Sequence, residues 1–131
     1  MNGTRFDFIA DTSAIIRLLR RDSLVEGKVR GKNFAVTFVT IAELDLGILK
    51  GRDPFAAVER CAEALAGVQV IHGSGQTPLF YARIYHDLEQ RGQMIPVNDI
   101  WIAAIALETG LPVLARDEHF SLVKGLSVIQ C

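Results

Sequence analysis

Short apolar stretches that break off at a polar residue, each answered by a segment of helical periodicity, constrain this chain's fold more than any other feature. Phe6–Ala10 stops at Asp11-Thr12-Ser13. Ala14, Ile15, Ile16, Leu18 and Leu19 then fall at helical spacing, with Arg17, Arg20 and Arg21 on another face. Phe34–Val39 is β-rich, and Thr40-Ile41-Ala42-Glu43 opens a helical pattern through Ile41, Leu44, Ile48 and Leu49. Pro54–Leu65 reads as a helix with proline at its start and Gly67 beyond its end, followed by a strand at Val68–Ile71. Pro78–Arg91 and Asn98–Thr109 are helices closed by Gly92 and Gly110, and Pro112–Ala115 and Ser127–Gln130 supply two further strands. Short apolar strands alternating with helices predict an α/β fold, a central and mostly parallel sheet with helices on both faces. In such a fold the ligand site lies beyond the carboxyl ends of the strands.

The 131 residues suit one domain over 1–131. Half of them are hydrophobic and 22% are charged, which supplies a core and excludes a disordered chain. The longest unbroken apolar run, Ile100–Leu107, is eight residues, well short of the ~20 that a membrane helix needs. Met1 to Asp7 lacks a charged start leading into an apolar block, so no signal peptide is expected. Two cysteines, Cys61 and Cys131, make neither a disulfide framework nor a zinc site. The expectation is a cytoplasmic protein of a reducing compartment, in which the Asn2-Gly3-Thr4 glycosylation sequon has no role.

Four acids stand at strand ends or at the helix starts near them, and each has an ordinary explanation. Asp11 suits an N-cap. Glu43, three residues after Thr40, completes a capping-box pattern. Asp99, in the first turn of a helix that Asn98 would cap, is favoured by the helix dipole. Asp117 suits a solvated turn. Their conjunction is harder to explain so, because in a parallel sheet all four converge on one edge. Adjacent carboxylates cannot all stay ionised unaided; some take up protons, or a cation sits among them. Oxygen donors without His or Cys favour Mg²⁺ or Mn²⁺ over zinc. His72, His86 and His119 have no spacing partner that marks a ligand and are expected at the surface.

Ile9-Ala10-Asp11-Thr12-Ser13, Thr40-Ile41-Ala42-Glu43-Leu44-Asp45-Leu46-Gly47, Asn98-Asp99-Ile100-Trp101-Ile102-Ala103-Ala104 and Leu114-Ala115-Arg116-Asp117-Glu118-His119-Phe120 resemble, in order and spacing, the motifs of the PIN domain. More narrowly, the chain resembles VapC-type toxins from about Phe8 to its C-terminus. The resemblance implies a three-layer α/β/α fold and a metal-dependent endoribonuclease, dimeric and inhibited by a VapB-type antitoxin. It assigns catalysis and metal binding to Asp11, Glu43, Asp99 and Asp117, with Thr12 and Ser13 in support. One departure is Ala115, where the family often carries Thr or Ser, so that a hydroxyl near Asp117 is missing.

The net charge is −1, so any polyanion must be held locally. Residues 17 to 32 carry six bases and two acids, a balance of +4 that leaves −5 on the remainder. Arg17, Arg20, Arg21 and Arg116 are accordingly the candidate RNA contacts beside an acidic pocket. A catalytically silent RNA- or protein-binding PIN-like module is the alternative, supported by Ala115. A phosphoacceptor signalling domain would need paired acids after the first strand, where this chain has Thr12-Ser13.

Overall fold

The structure, a computed structural model, describes residues 5 to 131. The Asn2-Gly3-Thr4 sequon and the first residues of the chain lie outside that range. Five strands, β1 (Phe8–Ala10), β2 (Phe34–Thr37), β3 (Gln69–Ile71), β4 (Val113–Ala115) and β5 (Val128–Gln130), form one sheet in the order β3-β2-β1-β4-β5. Every pairing is parallel, with Ile9 opposite both Ala35 and Val113, Val36 opposite Val70, and Leu114 opposite Ile129. The order reverses at β1, the middle strand. The helices are α1 (Thr12–Leu19), α2 (Ser23–Val29), α3 (Phe38–Lys50), α4 (Pro54–Ala64), α5 (Thr77–Gln90) and α6 (Val97–Thr109), with a 3-10 turn at Glu118–Leu122.

Strand alternation sorts the core into two layers. Phe8, Ala10, Val36, Leu114 and Ile129 face one way and pack with Ala14, Ile15, Leu18, Val29, Leu44 and Leu65, which belong to α1, α2, α3 and the C-cap of α4. Ile9, Val113, Ala115 and Val128 face the other way and pack with Ile84 and Leu88 of α5, five buried residues of α6 from Ile102 to Ala106, and Phe120 of the 3-10 turn. The eight-residue apolar run of the sequence is therefore a helix buried between the sheet and α5. Among the described residues, no helix is long and apolar enough to cross a membrane.

Three local expectations give way. The strand expected over Phe34–Val39 ends at Thr37, whose hydroxyl caps α3 by accepting from the Thr40 N–H at 3.4 Å. Helix α3 thus begins two residues before Thr40, and the Thr40–Glu43 pair is not a capping box. Helix α6 begins after Pro96 rather than at an Asn98 cap, which leaves the Asn98 amide free for another bond. Helix α2, within the stretch read as a basic run, has no apolar period of its own to announce it. It is nucleated by Asp22, which accepts from the N–H groups of Leu24 and Val25.

Phe120 is fully buried and anchors the 3-10 turn against α6 and the sheet. Phe120→Ala is expected to cost about 3–5 kcal/mol, the range for truncating a buried aromatic side chain. Urea denaturation of the two proteins measures it.

Candidate active site

Asp11 leaves the carboxyl end of β1 and caps α1, accepting from the Ala14 N–H at 2.9 Å. The residue is 1% exposed. Burial pushes its carboxyl up to about 6, with a smaller upward push from the Asp99 charge, against the lowering effect of the Ala14 and Ser13 bonds. The cap and the functional candidate are therefore the same carboxylate. Ser13 donates to it at 2.8 Å and also accepts from the backbone N–H groups of Arg116 at 2.9 Å and Asp117 at 3.3 Å. One hydroxyl thus ties the end of β1 to the turn after β4. Ala115, where the family's hydroxyl is missing, is wholly buried, and the turn that follows it is tied down by Ser13.

Glu43 reaches the same edge from α3. Thr12 Oγ1 donates to one of its oxygens at 2.5 Å, and Asn98 Nδ2 donates to the other at 3.3 Å. Thr12 commits its single proton there, so Thr40 donates to Thr12 at 3.0 Å. Asp99 projects from the first turn of α6. Its carboxyl is raised above the usual range by burial, and further by the charges of Glu43 and Asp117, while a bond to His119 pulls it back. Asp99 therefore senses all three of the other acids, directly or as the charge that raises Asp11.

His119 is the residue that sequence reasoning missed. Its Nδ1 lies 2.8 Å from Asp99 Oδ2, although the side chain is 44% exposed. The 3-10 turn after Asp117 swings residue 119 back over the acid edge, and no periodicity in the sequence marks such a turn. One ligand atom from each of Asp99, Asp117 and His119 lies within 4.8 Å of the others. The two carboxylates of this group, with the buried Asp11 carboxylate close enough for its charge and that of Asp99 to interact, fit a divalent cation. Hard oxygens predominate, and the crowded negative charge is left without a neutralising lysine or arginine in direct contact with Asp11, Glu43, Asp99 or Asp117 among the described residues.

The candidate RNA contacts separate. Arg17 and Arg116 share Asp22, at 3.8 and 3.9 Å, and Arg116 adjoins Asp117 in the chain. Arg20 is exposed. Arg21, paired with Glu26 at 2.8 Å, lines a cleft of about 700 Å³ with Phe34 and Val68, at the starts of β2 and β3, and so is not brought to the acids.

The sequence profile of the PIN domain matches residues 8–126. The chain belongs to the PIN domain family. Among its relatives, ribonuclease VapC5 of Mycobacterium tuberculosis is 29% identical over 93% of this chain and 91% of its own length. The VapBC-5 toxin–antitoxin structure from the same organism superposes with a TM-score of 0.75 at 27% identity, covering 95% of this chain and 98% of that one. VapBC2 of Rickettsia felis, solved on a DNA fragment of its promoter, shares the fold at a TM-score of 0.88 and 18% identity, covering 94% of this chain and 97% of that one. The matched span of the PIN domain contains all four acids and His119.

The raised Asp11 carboxyl gives this PIN domain a pH signature in the absence of metal. A carboxyl that titrates higher in the folded state than unfolded binds more protons when folded. Its contribution is favourable below about 4 and is lost as pH rises through about 6. The loss is of order 3 kcal/mol. Asp11→Asn should flatten that slope and be the more stable protein at pH 8, as denaturation in EDTA from pH 4 to 8 would measure.

Proposed function

We propose that this chain is a metal-dependent endoribonuclease, the toxin of a VapBC-type pair, acting in the cytoplasm as a homodimer. The observation that carries the reading is the arrival of Asp11, Glu43, Asp99 and Asp117 from four separate segments at one edge of the sheet. The ribonuclease named among its relatives and the toxin–antitoxin structures of the same fold support it.

The four acids would hold Mg²⁺ or Mn²⁺. The cation, when bound, would supply a water of lowered pKa and positive charge to stabilise the phosphate. Ser13 fixes the Asp11 carboxylate, and through the Arg116 and Asp117 N–H groups it sets the turn from which Asp117 reaches in. Glu43, held by Thr12 and Asn98, is positioned to take the proton of the attacking water. The water oxygen bonds to phosphorus as the bond to the 3′-oxygen breaks, leaving a 5′-phosphate and, once that oxygen is protonated, a 3′-hydroxyl. Arg17 and Arg116 lie where they can meet the flanking phosphates, exchanging their shared Asp22 for the backbone of RNA. A VapB-type antitoxin covers the site, and a basic side chain from it pairs with the acids in place of the cation.

Labelled RNA should be cleaved with Mg²⁺ or Mn²⁺ and spared in EDTA. Glu43→Gln keeps an acceptor for the Thr12 hydroxyl, so its stability should stay within about 1 kcal/mol of wild type while cleavage is lost. Cleavage that persists in EDTA would remove the metal from the reaction. No cleavage under any condition would leave the silent binding module. In cells, the chain expressed alone should be poorly tolerated. Asp11→Asn, or a co-expressed antitoxin, should restore growth, and equal growth of wild type and Asp11→Asn at equal expression would exclude a toxin.

A further inference from the structure

Three of the four acids at the site are held by hydrogen bonds, each by different partners. Asp11 has the Ser13 hydroxyl and the Ala14 N–H, and Glu43 has Thr12 and Asn98. Asp99, which lies between the charges of Glu43 and Asp117 and gains nothing from either, has one side-chain hydrogen-bond partner among the described residues, His119. That partner does not sit there by chance of a loose loop. Its chain neighbour Phe120 is wholly buried, and Ser121 closes the turn by donating to the Glu118 carbonyl at 2.7 Å. Without a donor, repulsion from the other carboxylates would turn Asp99 away from the point where the acids meet.

We infer that His119 is a positioning residue, whose Nδ1–H holds Asp99 Oδ2 so that the other carboxylate oxygen faces the cation. With Asp99 ionised and only accepting, the proton of the 2.8 Å bond is on Nδ1, and that nitrogen has no lone pair to offer a metal. Nε2 keeps its lone pair, and nitrogen coupling in the Mn²⁺ spectrum tests whether it binds. The arrangement inverts the common one in which a carboxylate orients a metal-binding imidazole; here the imidazole orients the carboxylate. The inference rests on the metal-dependent reading proposed above and adds to it a residue outside the four acids.

The experiment is Mn²⁺ binding to the metal-free protein, read from the EPR signal of free Mn²⁺ and needing no RNA. His119→Ala should raise the Kd by about 10- to 100-fold, the usual effect of losing a group that orients a ligand. His119→Asn places an amide N–H near the position of Nδ1 and should recover most of that affinity; His119→Gln, which mimics the far nitrogen, should not. Mg²⁺ competition should weaken in parallel, because the affected ligand is an oxygen. The Mn²⁺ spectrum of wild type should show no coupling to a directly bound nitrogen. The side chain is 44% exposed, so the metal-free variants should melt close to wild type, which separates this effect from unfolding. Unchanged affinity in His119→Ala overturns the inference alone. Nitrogen coupling in wild type, with His119→Asn as weak as His119→Ala, overturns it in favour of His119 as a ligand. Failure of wild type to bind Mn²⁺ overturns the metal reading and this inference together.

Discussion

A carboxylate buried at the end of the central strand is the constraint around which the structure is arranged. β1 has a neighbour on each side, so the chain leaving it is walled in, and the first side chain beyond it, Asp11, is 1% exposed. A charge placed there must be met by donors at once. The α1 N-terminus provides the Ala14 N–H, and Ser13 provides a hydroxyl. Because the same hydroxyl accepts from Arg116 and Asp117, satisfying Asp11 also determines how the turn after β4 is placed. The requirements of one buried group thereby fix the position of a second acid more than a hundred residues away.

The donors do not compensate Asp11 fully, since its carboxyl is still raised to about 6. Asp99 is raised as well, so burial, and to a lesser degree neighbouring charge, disfavours the ionised acids more than local hydrogen bonds relieve. Such tension is expected where function sets the residues rather than stability. The rest of the molecule offsets it with an almost wholly apolar interior, including a helix buried on nearly all sides.

The fold was legible because its signals are of the kind that sequence displays well. β1, β2 and β4, three or four residues long and almost wholly buried, read as apolar bursts, and amphipathic α1 and α5 read by their period. Asp11, Glu43, Asp99 and Asp117 were visible as acids at strand ends and helix starts. Their hydrogen-bond partners were less so. Glu43 was given Thr40 as a capping partner, but a threonine three residues earlier captured the cap and left Glu43 to Thr12 and Asn98. His119 was read as a surface residue without a partner, and its contact with Asp99 stayed hidden because a 3-10 turn, not a periodic element, carries it there. Contacts of this sort depend on where two distant segments meet, which no local pattern encodes.

The strand order has a consequence for the life of the chain during synthesis. β1 emerges from the ribosome first, yet its partner on one side, β4, begins at residue 113 of 131. Until β4 docks, the groove beside β1 is open, Asp117 has not been made, and Asp99 has no sheet against which α6 can settle. A polypeptide still being elongated can pair β1 with β2 and β3 but cannot assemble the acid pocket, because long-range parallel pairing waits for the late strand. The acid edge thus comes together only after β4 and the turn carrying Asp117 have been made, later than the strand on which it is built.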